Sequence, residues 1–221
     1  LKTLCPKVRV VGVQAAGCAP VIESLTLGSP IAFASARTIA DGIAVKRPGD
    51  LTLGFIKQYV DEVVTVTDDE IVRAIAYLAQ HARLVVEGAG AAGVAALLAG
   101  KVNFKPNQVV STVLCGGNID DNLLSRVIEQ AMVRQGRHIL LRTLIGDSPG
   151  NLAPLMNKVA ETGANVIDIF HRRATWLVPI DRVGVEMVLE VRDEQHGLEV
   201  IAHLRAAGYP VEREGQGVWP E

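Results

Sequence analysis

The chain has two stretches with different hydrophobic rhythms. In the first, short apolar runs alternate with helical stripes. Val8–Val13, Glu62–Val66 and Val109–Leu114 are runs rich in β-branched residues and read as strands. Thr67 and Glu70 have the spacing of a capping box, with Asp68 and Asp69 in the acidic first turn, and Ile71, Ala74, Ile75, Leu78 and Ala82 then recur at helical spacing. Ala89–Ala99 carries small residues on every side. A helix there packs closely on its neighbours, although each glycine costs up to about 1 kcal/mol in a helix interior. Leu123, Leu124, Val127, Ile128, Ala131 and Met132 form a further amphipathic face. Strand followed by helix, repeated, predicts a parallel sheet. Ser29–Gly54 interrupts this order with turn residues and little periodicity, and long irregular stretches inside α/β domains are usually functional or mobile.

The rhythm changes after Gln135-Gly136, which reads as a linker. His138–Ile145 is a strand. Ser148 and Pro149 then supply an N-cap and an N1 proline. Leu152, Leu155, Met156 and Val159 give one helical stripe, which Gly163 ends. Ala164–His171 is a second strand. Val183, Val185, Met187, Leu189 and Val191 alternate with Gly184, Glu186 and Glu190, the pattern of a half-buried strand. Leu198, Ile201 and Leu204 mark another helix face, closed by Gly208, and Tyr209–Arg213 is a short last strand. The order is βαββαβ, the ferredoxin-like arrangement. Two domains follow, residues 1–135 and 136–221, and the tail from Glu214 has no pattern.

Composition narrows the classes of function. With 49% hydrophobic and only 4% aromatic residues, the core is built from Val, Ile, Leu and Ala, which suits parallel strands covered by helices. A formal net charge of -2 gives no general attraction to nucleic acid or to an anionic membrane. No apolar run approaches membrane-spanning length, and no signal peptide is visible. Cys5, Cys18 and Cys115 form neither a disulfide framework nor a CxxC metal site, so a cytoplasmic location is expected. Leu1-Lys2-Thr3-Leu4 reads as the end of a helix broken by Pro6, as in a piece of a longer protein.

The candidate chemistry lies where Val109–Leu114 runs into Cys115-Gly116-Gly117-Asn118. Strand carboxyl ends in open α/β sheets are where small ligands dock, and glycines there let backbone approach a ligand closely. Cys115 adds a small side chain that bonds weakly to hydrogen-bonding partners.

Other motifs join it in a fixed order: Thr38-Ile39-Ala40-Asp41-Gly42, Val64-Thr65-Val66-Thr67-Asp68-Asp69-Glu70-Ile71, and Glu87-Gly88-Ala89-Gly90-Ala91-Ala92-Gly93. Together they resemble the back half of the threonine ammonia-lyases (threonine dehydratases), fold-type II pyridoxal-phosphate enzymes. Asp147-Ser148-Pro149-Gly150-Asn151-Leu152 within the βαββαβ unit resembles an ACT domain, an amino-acid-sensing module. The implied fold class is α/β, a partial fold-type II parallel sheet with helices followed by a ferredoxin-like ACT domain.

The resemblance implies a lyase reaction, L-threonine to 2-oxobutanoate and ammonia, in isoleucine biosynthesis or threonine catabolism, with pyridoxal phosphate as electron sink. It places Cys115 beside the pyridine nitrogen, where a neutral, weak partner leaves that nitrogen unprotonated and suits β-elimination. Gly116 flanks it, and Gly42 lies against the cofactor. For Glu87 two readings stand, a place near the cofactor ring or a charge at the helix N-terminus. Asn118 is expected to cap the following helix. Gly150, Asn151 and Leu152 are implied contacts for an amino-acid effector at a subunit interface in a homo-oligomer, joined by Asn165 from across it. Isoleucine and valine both fit feedback logic. His171, Arg172 and Arg173 read as a solvated turn and His81 as surface.

Two departures from the family pattern matter. Relatives with a divalent-metal site place acidic side chains near the strand containing Gly12-Val13-Gln14, whereas this chain has Gln14, Cys18 and Pro20, so no divalent metal is expected. The family's Schiff-base lysine stands in a Ser-Phe-Lys-Xaa-Arg-Gly-type motif. Lys2, Lys7, Lys46, Lys57, Lys101, Lys105 and Lys158 lie in no such motif, and no glycine-rich phosphate loop accompanies them. The chain is therefore expected to contain no catalytic lysine. It should be inactive alone and not bind pyridoxal phosphate without the amino-terminal half of the enzyme as its partner. The alternative function is an amino-acid-sensing binding module.

Overall fold

The computed structural model describes residues 1–173 and 179–214. Their contacts divide the chain into two units, Leu1–Val127 and Ile128–Glu221. The division falls inside a helix, not at Gln135-Gly136. Gly136 instead ends that helix with a left-handed φ of 66°.

The first unit contains strand β1 (Val11–Ala15), helices α1 (Pro20–Leu27) and α2 (Asp50–Tyr59), strand β2 (Glu62–Val66), helices α3 (Asp68–Tyr77) and α4 (Gly88–Leu98), and the start of α5 (Asp121–Arg134). β1 and β2 pair in parallel, with Val11 opposite Glu62 and Ala15 opposite Val66. The strand expected at Val8–Val13 thus lies slightly later. Asp61 accounts for this: its amide donates to the Val10 carbonyl and its carboxylate accepts the Val10 amide, so the ladder begins only at Val11. α3 follows β2 at once because the capping box forms, with Thr67 accepting from the Glu70 amide and Glu70 accepting from the Thr67 amide. Its Ile71, Ala74 and Ile75 are fully buried, and each isoleucine contributes about 1.5–3 kcal/mol of burial.

Two expectations change here. Ser29–Gly54 is largely irregular, but α2 starts inside it at Asp50. Val109–Leu114 is not a strand. It runs without turn, bend or helix, yet no hydrogen-bonded strand lies beside it among the described residues, and Val109 is 94% exposed. β-propensity favours an extended shape, but only a neighbouring strand makes a ladder.

The second unit continues with β3 (His138–Gly146), α6 (Leu152–Glu161), β4 (Asn165–Arg172), β5 (Arg182–Glu190), α7 (Glu194–Ala206) and β6 (Val211–Glu214). The four-stranded antiparallel sheet has the order β4-β5-β3-β6, with Ile139 opposite Leu189 and Thr143 opposite both Val185 and Val211. Ile139, Leu141, Leu155, Val159, Met187, Leu189 and Leu204 form its core. This is the βαββαβ order read from the sequence.

Three details of this unit differ from expectation. Ser148 and Pro149 do not start α6, because Gly150 follows with φ 93°, outside helical space, and the N-cap is Asn151. Leu198 is 50% exposed, while His196, Gly197 and Val200 face inward. Asp193 sets that rotation by capping the His196 amide, and Gly197 admits Ile139 close to the helix. Finally, the last strand begins at Val211. Residues 174–178 and the tail from 215 lie outside the described residues. No described helix is long and apolar enough to cross a membrane.

Candidate functional site

In the first unit the motifs converge on the N-terminus of α4, through contacts remote in sequence. The Asp68 carboxylate, at the start of α3, accepts from the Thr38 hydroxyl at 2.5 Å and from the Ile39 amide at 3.1 Å. This holds the Thr38–Ala40 segment in place. The segment then packs on Gly88, where an added methyl group would meet the Ile39 carbonyl at 2.8 Å and the Ala40 Cα at 3.0 Å. Asp41–Ile43 forms a short 3-10 turn that carries Gly42 to the same place. A methyl on Gly42 would lie 3.0 Å from the Ala89 methyl and 3.9 Å from a carboxylate oxygen of Glu87.

Glu87 is the N-cap residue of α4, half-buried, and its side chain makes no capping hydrogen bond. Its charge lies at a helix N-terminus and its carboxylate faces Gly42.

Cys115 and Gly116 lie against the same helix end. The Glu87 amide donates to the Cys115 carbonyl at 2.9 Å. Gly90, one turn into α4, has only hydrogen on the side facing Cys115, and a methyl there would sit 2.6 Å from the Cys115 nitrogen. Gly116 packs in the same way on the Val85 carbonyl. These close approaches need glycine and explain the small-residue composition of the helix. The Cys115 side chain is exposed, as is Cys5, while Cys18 is buried. The structure therefore brings Gly42, Glu87, Cys115 and Gly116 together. Asn118 is not the cap of α5; the Asp120 carboxylate takes the Leu123 amide at 3.0 Å. Gln14 accepts the Val21 amide at 3.1 Å and so helps fix the start of α1.

Sequence reasoning missed Asp68 as the anchor of the Thr38–Gly42 turn, since no local pattern links residues thirty apart. It also missed Val85, whose carbonyl meets Gly116.

In the second unit, Asn151 donates to the Gly146 carbonyl at 3.1 Å and to the Ser148 hydroxyl at 2.6 Å. It braces the turn that contains Gly150, and Leu152 packs on the core just beyond. Arg173 donates to Asp147 at 3.0 Å, so part of the basic run reaches this turn, while Arg172 lies 5.0 Å over the Phe170 ring. Asn165 is not nearby. It pairs opposite Glu190, which pairs opposite His138, at the far end of β3 from Gly146. A strand of this length spans roughly 25 Å, so within one copy Asn165 stands apart from Gly150–Leu152. His81 packs against the Tyr77 ring with centroids 4.5 Å apart.

The first unit thus gathers backbone, one exposed thiol and one carboxylate at the N-terminal end of α4. The model of the pyridoxal-phosphate dependent enzyme family matches residues 1–116, and the chain belongs to that family. Among its relatives, the L-threonine ammonia-lyase of Thermotoga maritima is 44% identical over 211 residues, covering 96% of this chain and 52% of that protein. That of Geobacter sulfurreducens is 42% identical over 207 residues, covering 94% and 51%. The processed form of threonine deaminase isoform 2 from Solanum lycopersicum matches in structure with a TM-score of 0.53 and 28% identity, over 60% of this chain and 37% of that one. The chain thus spans about half the length of the curated relatives it matches. Pyridoxal phosphate is the cofactor of the complete enzyme. Cys115 is exposed beside Glu87, so a thiol and a carboxylate stand there for such a group, while the missing side chains of Gly42 and Gly116 leave room for Ala89 and Val85.

Proposed function

We propose that this chain provides one wall of an L-threonine ammonia-lyase, which converts L-threonine to 2-oxobutanoate and ammonia. The observation that carries this reading is the meeting of Gly42, Glu87 and Cys115-Gly116 at the N-terminus of α4. Two relatives with that name, matched along nearly the whole chain, support it. When bound, pyridoxal phosphate supplies the electron sink for the elimination. Cys115 supplies a neutral, weak partner at the ring-nitrogen side. Gly42 and Gly116 let their segments pack on Ala89 and Val85 and so hold the Cys115 end in place, and the Glu87 carboxylate closes the site beside Gly42. No lysine of this chain stands in a cofactor-carrying motif, so we assign that residue and the phosphate loop to the complementing half, and the chain alone is inactive. The assembled enzyme is a cytoplasmic homo-oligomer.

Mixing this chain with the part of the Thermotoga maritima relative that it does not match, in the presence of pyridoxal phosphate, tests the proposal. Threonine-dependent keto-acid release by the mixture, and by neither part alone, is expected. Keto-acid release by this chain alone would refute the division of labour, and none from a formed complex would refute the reading.

A second reading concerns residues 136–221, which we assign to an ACT-type regulatory domain binding isoleucine or valine through Gly150, Asn151 and Leu152. The observation favouring it is the β4-β5-β3-β6 sheet together with the Asn151-braced turn after β3. Asn165 would then serve the site of a second copy.

A further inference from the structure

The connection from α3 to α4 leaves the α-helical path before it reaches Glu87. After Tyr77 the helix widens into a π turn, Leu78–Ala82, whose hydrogen bonds span five residues instead of four, so the turn holds an extra residue. Arg83 ends it in the left-handed conformation, at φ 59° and ψ 32°. It is the one non-glycine residue with positive φ among the described residues. The Arg83 and Leu84 amides both donate to the Leu78 carbonyl, the second at 3.2 Å. Helices often end on a left-handed residue, but that residue is usually glycine, because a Cβ there crowds the backbone. Such strain persists only where the surroundings over-determine it, and both strained residues and π turns gather at functional sites.

Here the surroundings are two fixed points. Leu78 is buried in the first unit's core, and so is Val86 beyond the turn. Between and just after them the chain has to bring the Val85 carbonyl onto Gly116 and the Glu87 amide to the Cys115 carbonyl, at 2.9 Å. A register error of one residue would point the Val85 carbonyl and the Glu87 amide elsewhere. We propose that Arg83 is a positioning residue for the Glu87–Cys115 site: its left-handed turn, with the extra residue of the π turn, sets the register in which Val85 meets Gly116 and Glu87 meets Cys115. The part is played by the backbone of Arg83, whose side chain is exposed. The inference rests on the reading of Glu87 and Cys115 as one side of the cofactor site, and adds what aims them.

The test is amide-resolved hydrogen exchange on the full chain with two substitutions. Arg83→Gly adopts the left-handed conformation without crowding, so the Glu87 amide should stay as slow as in the parent chain. Arg83→Val places a β-branched side chain where that conformation is a steric outlier, and the Glu87 amide should exchange about tenfold faster, as for the loss of one hydrogen bond. The Ile71 amide, bonded to the Thr67 carbonyl at the start of α3, should keep its rate in both variants. Should Arg83→Val not fold, Arg83→Ala, with its smaller penalty, is judged by the same criteria. A parent-like Glu87 rate in the valine or alanine variant, or a faster one in Arg83→Gly, would overturn the proposal. So would equal acceleration at Ile71 and Glu87, since Arg83 would then serve the stability of the whole unit. Turnover reports separately, in a mixture with pyridoxal phosphate and the part of the Thermotoga maritima relative that this chain does not match. There kcat of Arg83→Val should lie about threefold or more below that of Arg83→Gly, and equal kcat would overturn the positioning role. No turnover by the parent mixture removes the enzymatic reading, while the exchange rates still decide the register.

Discussion

Asp68 and Thr38 are joined by a 2.5 Å hydrogen bond across thirty residues of sequence, and the same carboxylate holds the Ile39 amide at 3.1 Å. A residue in the first turn of α3 thereby fixes the approach of the Asp41-Gly42 turn to α4. Asp68→Ala leaves both donors without that acceptor. We expect a loss of about 1.5 kcal/mol, the lower end for bonds to a charged group, since the site is partly exposed. Exchange at Ile39–Ala44 should accelerate while α3 stays protected, because the capping box of Thr67 and Glu70 is untouched. Asp68→Asn, which keeps an acceptor, should lose less.

The contact of α4 with Cys115 yields a paired prediction. Gly90→Ala gains helix propensity of up to about 1 kcal/mol. The new methyl, however, would lie 2.6 Å from the Cys115 nitrogen, and both partners there are backbone. Overpacking of this kind costs about 1–3 kcal/mol, so the variant should be less stable in urea unfolding. Gly54→Ala in α2 is the control. Nothing lies within 4 Å of its added methyl, and it should stabilise by about 0.5–1 kcal/mol.

These contrasts show what was legible in the sequence. β2, the capping box and the βαββαβ order depend on neighbours a few residues away, so local pattern revealed them. Val109–Leu114 reads as a strand in sequence because its residues favour extension, but a ladder needs a second backbone that the pattern does not contain. Pro149 looked like a helix start, and the positive φ of Gly150 moved that start to Asn151. Gly42, Glu87, Cys115 and Gly116 could be gathered only through their order along the chain. Their mutual contacts, and the part of Asp68 in them, come from packing over long sequence separations.

Acid should weaken the β1–β2 corner through Asp61. Its carboxylate bonds Lys2 at 2.8 Å and the Val10 amide at 2.7 Å, and these hold its pKa below the ordinary 3.8, with the lysine bond the larger cause. A lowered folded value means that the ionised form is the one the fold stabilises. The contribution is therefore complete above 3.8 and disappears as pH falls through the lower folded value. Carboxyl carbon shifts should show a midpoint for Asp61 below that of a free aspartate. Lys2→Ala should move the midpoint upward, with the Val10 bond leaving part of the shift in place.

The second unit allows the regulatory reading to be judged without any catalysis. Asn151 spends its amide on the Gly146 carbonyl and the Ser148 hydroxyl, so its place is to shape the turn from inside. Gly150 turns the chain at φ 93°, where a side chain adds strain of roughly 1–2 kcal/mol. If this turn receives an amino acid, titration of the full chain with isoleucine or valine should give saturable heat, and serine and threonine should give less. Asn151→Ala frees the turn and should weaken binding by about tenfold, the loss of a net hydrogen bond or two. The sheet should survive, since its core of Leu141, Met187 and Leu189 does not involve that side chain. Asn165→Ala lies at the other end of β3, so it should weaken binding only in an assembly that brings a second copy to the turn. Equal binding by Asn165→Ala and the parent chain in a preparation shown to be assembled would remove Asn165 from the site. No heat with any of the four amino acids would remove the regulatory reading.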